Sequence, residues 1–259
     1  MSFVEVLGRT LEYQLIPAHQ IDRPTLVFLH EGLGSIALWR DFPARVAQLT
    51  GCRTLLWSRT GYGQSSPLPV PRTARYMHEE ALDVMPALFA SLGIERPLLI
   101  GHSDGGSIAL IHAGAYPERV AGLIVLAPHE FVEEKALAGI RAAGEFYAAS
   151  DWRERLGRYH RDPDAVFRAW HDTWLSPAFR DWNIEEYLPA IRCPVLAIQG
   201  EDDEYATMRQ IEAIAEAAPG GALGGDIDLL RLADCRHTPQ RDQTDAVLAA
   251  IAAFLERLS

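Results

Sequence analysis

Lysine is nearly missing from this chain: among 24 basic side chains, Lys135 is the only one that is not arginine. Arg and Lys differ in donor geometry but not in charge, so the imbalance assigns no function by itself. Basic charge is also scarce overall, with 24 Lys and Arg against 35 Asp and Glu and a formal net charge of -11. Nucleic acid and anionic membrane both demand a positive patch that displaces counterions, so neither is an expected partner. Cysteine is limited to Cys52, Cys193 and Cys235. That odd number without metal-ligand spacing argues against a disulfide framework or a metal site and for buried, inert thiols. No apolar run approaches the roughly 18 residues that span a bilayer, and the opening Met1-Ser2-Phe3-Val4-Glu5-Val6 lacks a basic segment followed by an apolar one. A cytoplasmic location is therefore expected.

What is present is an alternation. The 259 residues are 48% hydrophobic, which suits the upper end of one domain with a large core. A hairpin is predicted first, with strands over 3–7 and 11–16 around Gly8-Arg9. Further strands are predicted over 25–30, 52–57, 97–102, 122–127, 194–199 and 227–232, and helices over 38–49, 74–92, 104–115, 208–218 and 240–258. Residues 219–225 read as a Gly-rich surface turn. This order predicts an α/β protein with a mostly parallel sheet covered by helices on both faces. Residues 131–187 break the pattern. They hold no convincing strand and read as short helices separated at Asp162-Pro163 and Ser176-Pro177, with 11 of the 23 aromatic residues. Phe167, Trp170 and Trp174 share one helical face at i, i+3 and i+7. Such a segment is expected to act as a lid that excludes water, inserted between core portions 1–130 and 188–259.

Chemistry concentrates in Leu99-Ile100-Gly101-His102-Ser103-Asp104-Gly105-Gly106, where an apolar strand runs into G-x-S-x-G and then a helix-forming run. Glycines flank the serine because a sharp strand-to-helix turn brings backbone segments too close for side chains. The strained turn lifts a serine hydroxyl out of the sheet. A serine hydroxyl needs a histidine to take its proton, a carboxylate to orient that histidine, and amides to hold the oxyanion.

About one hundred residues later comes Gly200-Glu201-Asp202-Asp203, and then His237 within Asp234-Cys235-Arg236-His237-Thr238-Pro239. The order nucleophile, acid, histidine resembles the α/β-hydrolase fold family over essentially the whole chain. Within it the chain is similar to the small lidded enzymes that include enol-lactonases, carboxylesterases and hydrolases of aromatic ring-cleavage products. The resemblance implies an eight-stranded, mostly parallel sheet with the lid between the sixth and seventh core strands. It implies Ser103 as nucleophile, His237 as general base and acid, and Asp203 as the orienting carboxylate. Glu130, just after the preceding strand, is the other candidate acid, and the spacing Gly-x-x-Asp selects Asp203. The other eight histidines, His30 and His102 among them, are expected to be structural.

For the oxyanion hole the resemblance implies the N–H of Asp104 and one from His30-Glu31-Gly32-Leu33-Gly34-Ser35, with Gly32 chosen over its neighbour Leu33. Glu31 stands where the family usually has glycine. It is expected to turn away toward Arg59, with a pocket-facing Glu31 as the alternative. Ser58-Arg59-Thr60-Gly61-Tyr62-Gly63-Gln64-Ser65 resembles a structural turn of the family; it lacks full dinucleotide-binding spacing. The expected function is cofactor-free hydrolysis of a small ester, thioester or lactone through an acyl-enzyme. The same residues would serve carbon–carbon bond hydrolysis, and a retired scaffold that only binds ligand is the third reading. A small-molecule substrate is the expected partner, and self-association is compatible with this sequence.

Overall fold

The computed structural model describes residues 1–20, 22–68, 71–217 and 227–258, so the turn expected at 219–225 lies outside the described residues. Eight strands form one sheet: β1 (Ser2–Val6), β2 (Arg9–Ile16), β3 (Leu26–Leu29), β4 (Thr54–Trp57), β5 (Leu98–His102), β6 (Gly122–Leu126), β7 (Val195–Gly200) and β8 (Ile227–Leu232). Their spatial order is β1-β2-β4-β3-β5-β6-β7-β8. Strand β2 pairs antiparallel with β1 and β4, and every other pairing is parallel. Ten α-helices are described: α1 (Phe42–Thr50), α2 (Tyr76–Glu79), α3 (Met85–Leu92), α4 (Asp104–Ala115), α5 (Glu134–Ala149), α6 (Trp152–Leu156), α7 (Pro163–Trp174), α8 (Arg209–Ala217), α9 (Pro239–Asp242) and α10 (Thr244–Arg257).

Alternation within the central strands builds a core on each face. Val27, Leu29, Leu99, Leu123 and Val125 point to the side covered by α3, α4 and α8. Leu26, Phe28, Ile100, Ile124 and Leu126 point to the side covered by α1 and α10. Period-two side-chain direction in strands buried on both faces requires this apolar run. Helix α4 is buried from Asp104 through Gly114, so it has no polar face to offer solvent.

The sheet order also locates a crevice. The chain leaves β3 for β4 on one side and reaches β5 on the other, and such a reversal opens a space beyond the carboxyl ends of the strands. Leu29 registers with Gly101, which sets the loop after β3 beside the serine turn after β5.

Several boundaries differ from the sequence reading, for local reasons. The first hairpin turns at Leu7-Gly8, one residue earlier than expected, because both take positive φ and Val6 pairs with Arg9. The helix expected over 38–49 splits into a 3-10 turn, Ile36–Trp39, and α1, with Arg40 at φ 54° between them and Pro43 opening the second piece. The helix over 74–92 contains a π-helical turn, Glu80–Val84. Pro86 has no N–H for the Leu82 carbonyl, and Tyr116 Oη donates to it at 3.1 Å instead, while His112 Nδ1 donates to the Ala81 carbonyl at 2.7 Å. The helix over 240–258 breaks at Gln243, whose φ is -132°.

Between β6 and β7 lie α5, α6, α7 and two 3-10 turns, Pro177–Phe179 and Glu185–Ala190. Asp162-Pro163 separates helices by starting one: Asp162 Oδ1 accepts the Ala165 N–H at 2.9 Å and Pro163 opens α7. Phe167, Trp170 and Trp174 are buried on the inner face of α7. Phe167 stacks on Tyr147 with centroids 3.8 Å apart, and Trp174 packs against Phe179 and Trp182.

Candidate active site

Loops after three strands on the same side of β3 meet here: β5 delivers Ser103, β7 leads to Asp203, and β8 leads to His237. Ser103 has φ 51° and ψ -121°, a conformation that a residue with a Cβ rarely holds. It is kept there by its neighbours. Its N–H donates to the Leu126 carbonyl at 2.9 Å, and its own carbonyl accepts from Gly106 and Ser107 at 2.8 and 3.0 Å. A Cβ on Gly101 would lie 2.2 Å from the Gly105 carbonyl oxygen, and one on Gly105 would lie 2.0 Å from that of Leu29. Only glycine fits at either position.

His237 Nε2 stands 2.9 Å from Ser103 Oγ, and its Nδ1 stands 2.9 Å from both oxygens of Asp203. A carboxylate can only accept, so Nδ1 carries the proton and Nε2 presents its lone pair to the serine hydroxyl. Asp203 is fully buried, and its Oδ1 also accepts the N–H groups of Tyr205 and Ala206 at 2.8 and 3.2 Å. Burial would raise the Asp203 pKa, yet the adjacent His237 holds it below the usual carboxylate value. Burial would likewise lower the pKa of His237, and the Asp203 carboxylate overrides it, so the imidazole sits above 6.5. Two backbone contacts fix the ring further. Its N–H donates to Glu204 Oε2 at 3.1 Å, and its carbonyl accepts from His102 Nε2 at 2.7 Å.

The Asp104 N–H opens α4, and neither it nor the Gly32 N–H has an acceptor among the described residues. Gly32 and Leu33 line the same cavity as Ser103 and His237. Their loop is held by its carbonyls: Tyr62 Oη donates to Gly32 O at 2.8 Å and His160 Nε2 to Leu33 O at 2.9 Å. His160 Nδ1 accepts the Gly63 N–H at 3.0 Å, so the glycine turn after β4 braces the loop. Trp170 of α7 covers this point, since a Cβ on Gly32 would come within 2.3 Å of its ring.

Glu31 departs from expectation. Arg59 gives Nη2 to the Glu31 backbone carbonyl at 2.8 Å, while the Glu31 carboxylate lies 3.7 Å from His102 Nδ1 on the cavity wall. The reason is that Arg59 is drawn inward by Asp104, 3.5 Å away, with both side chains buried. Asp104 Oδ2 also accepts from Tyr76 Oη at 2.7 Å, and Tyr76 Oη accepts from Trp174 Nε1 at 3.1 Å. A polar line thus runs from α7 to the residue after Ser103. Glu130 makes no contact with His237; its carboxyl is buried with both oxygens unpartnered, and burial pushes its pKa well above the usual value.

The cavity measures about 640 Å³ and is walled by Trp39, Trp152, Trp170, Trp174 and Tyr205, with Arg40, Arg155 and Arg158 at its exposed side. Among the described residues no cluster of His, Cys, Asp or Glu could hold a metal ion. No helix described is long and apolar enough to cross a membrane. The three cysteines are free and buried. Sequence reading missed Glu204, Tyr76 and His129 as parts of this neighbourhood. Glu204 adjoins Asp203 in the acidic run, which is a usable signal; Tyr76 and His129 carry none.

The α/β hydrolase fold model matches residues 24–183. A Pseudomonas savastanoi pv. phaseolicola protein provisionally named carbamate hydrolase RutD is 30% identical over 226 residues, covering 78% of this chain and 84% of that one. The 2-succinyl-6-hydroxy-2,4-cyclohexadiene-1-carboxylate synthase of Enterobacter sp. (strain 638) is 31% identical over 159 residues, 61% of this chain and 56% of the relative. The enol-lactonase of Burkholderia xenovorans LB400 superposes with a TM-score of 0.75 at 19% identity, covering 98% of this chain and all of that one, a likeness of fold alone. Those names span different reactions, so the site and not the fold must specify the chemistry. By its sheet, its serine turn and these matches, the chain belongs to the α/β hydrolase fold family.

Proposed function

We propose that this protein is a serine hydrolase that cleaves a small ester, thioester or lactone through an acyl-enzyme. The observation that carries this reading is the hydrogen-bonded line Asp203–His237–Ser103, with 2.9 Å at each contact. Ser103 Oγ attacks the carbonyl carbon as its proton passes to His237 Nε2. The negative oxygen is received by the N–H groups of Asp104 and Gly32, each such donor contributing about 3–4 kcal/mol in comparable sites. His237 returns the proton to the leaving oxygen or sulfur. Water then enters, gives its proton to His237, and attacks the acyl carbon; collapse frees the acid and restores the serine. Asp203 holds the tautomer throughout and stays ionised.

Residues 131–187 serve in this reading as the lid between core portions 1–130 and 188–259. Its aromatic inner face supports a compact substrate, because each further methylene gains roughly 0.8 kcal/mol only while apolar wall remains to bury it. The test is stopped-flow hydrolysis of p-nitrophenyl butanoate. A burst of p-nitrophenol close to one equivalent of enzyme, followed by slower turnover and absent from Ser103→Ala, is the expected result. Linear, equal release from both proteins would reject the acyl-enzyme.

A further inference from the structure

The turn after β6 is strained, and the hydrolytic line makes no use of that strain. Ala127 holds φ 44° directly before Pro128, a backbone state that an alanine keeps only when its surroundings insist. Three bonds do so. The Ala127 N–H donates to Ile198 O at 2.8 Å, the Ser107 hydroxyl donates to His129 O at 2.6 Å, and the His129 N–H donates back to Ser107 Oγ at 3.1 Å. Ser107 lies one turn beyond Ser103 on α4, so His129 is registered to the nucleophile's own helix.

The imidazole so placed lines the cavity, 3% exposed, with its centroid 5.6 Å from that of His237 and 5.1 Å from that of Trp174. It makes no hydrogen bond with the described residues. Nδ1 is buried without a partner, and Nε2, also unbonded, keeps contact with the cavity. Burial, then the nearby His237, lower its pKa to about 4, so the ring is neutral at pH 7 and carries one proton. A buried lone pair without a donor costs less than a buried N–H without an acceptor, which puts the proton on Nε2. The cavity wall therefore presents an N–H donor that no described residue engages. Arg155 and Arg158 are exposed while His129 and Trp174 are buried, so an acyl portion held inside the cavity, with its leaving group toward solvent, would lie beside His129 and Trp174.

We propose that His129 is a specificity-determining residue, whose Nε2–H donates to an oxygen of the acyl group near the scissile carbonyl, selecting alkoxy-, hydroxy- or keto-acyl substrates over plain alkanoyl ones. This assignment rests on the serine hydrolase reading. It is tested with matched p-nitrophenyl esters: methoxyacetate and 3-hydroxybutanoate against butanoate, and 4-oxopentanoate against pentanoate. For each pair the ratio of kcat/KM, oxygenated over plain, is compared among wild type, His129→Phe, His129→Leu and His129→Gln. In at least one pair the ratio falls about 2- to 10-fold in His129→Phe and His129→Leu, the worth of one uncharged hydrogen bond, and is partly kept in His129→Gln. Should one apolar variant fail to fold, the other against His129→Gln decides. Ratios equal to wild type in every pair overturn the assignment. A fluorophosphonate, read by intact mass, separates the two levels: a labelled wild type with ratios insensitive to position 129 removes His129 alone. No label and no ester turnover in the wild type remove the hydrolase reading, and His129 with it.

Discussion

Replacing Gly105 by alanine tests how the serine turn is built. The added Cβ would lie 2.0 Å from Leu29 O, 2.5 Å from Leu29 C and 2.8 Å from His30 O. All three are backbone atoms, and Leu29 is held in register with Gly101 of β5, so none can swing away as a side chain would. Reaching an ordinary contact of 3.4 Å from 2.0 Å requires the start of α4 and the end of β3 to part by 1.4 Å. Ser103 sits at that start, 2.9 Å from His237 Nε2, and a displacement of this size breaks the bond. A misplacement of about 1 Å costs roughly 100-fold in rate. Overpacking of this kind destabilises by about 1–3 kcal/mol, which lowers the Tm of a chain this long by roughly 2–12 °C. The assays are kcat on p-nitrophenyl butanoate and Tm by calorimetry. Gly93→Ala is the control: its φ is 62° but nothing lies within 4 Å, so it should lose about 1–2 kcal/mol of stability with kcat unchanged. Wild-type kcat and Tm in Gly105→Ala would refute the steric argument.

Because Asp203 holds His237 above its ordinary 6.5, kcat/KM should rise with pH through an apparent pKa above 6.5. In Asp203→Asn that midpoint should fall and kcat should drop by roughly 10⁴-fold, as loss of the orienting carboxylate does elsewhere; a pH–rate profile reads both. Arg59→Met leaves the Asp104 carboxylate buried with Tyr76 as its remaining partner, and urea unfolding should show a loss of about 3–5 kcal/mol that adding Asp104→Asn partly restores. Glu130→Gln should keep turnover and relieve a pH-dependent cost. The folded-state pKa of Glu130 lies well above 4.5, so the wild type is favoured below the unfolded-state value and loses stability as pH rises toward the folded-state one. The variant's stability advantage, measured by urea unfolding at pH 5 and pH 8, should therefore grow with pH.

The strands and the three residues of the hydrogen-bonded line were legible because their signals are local: apolar runs of strand length, two glycines around a serine, and short acid and histidine loops after strands. The breaks inside helices were less so. Pro86 marks the π-helical turn only to a reader who knows that Tyr116 and His112 come to take the freed carbonyls. Glu31 was misplaced for a similar reason. Its expected partner, Arg59, is near in space, but Asp104 competes for the guanidinium, and that competition depends on packing across β3, β4 and β5. His129 carries no signal at all in sequence, since Ala-Pro-His-Glu looks like any loop. Its position follows from Ser107 and from a strained alanine that only the fold defines.

The central claim is that Ser103 is activated by His237. Covalent labelling with a fluorophosphonate, followed by intact mass on wild type, Ser103→Ala and His237→Ala, tests it most directly. The account predicts one adduct on the wild type at Ser103, none on Ser103→Ala, and strongly slowed labelling in His237→Ala. A folded wild type that takes no adduct, or a Ser103→Ala protein that labels as fast, would contradict it.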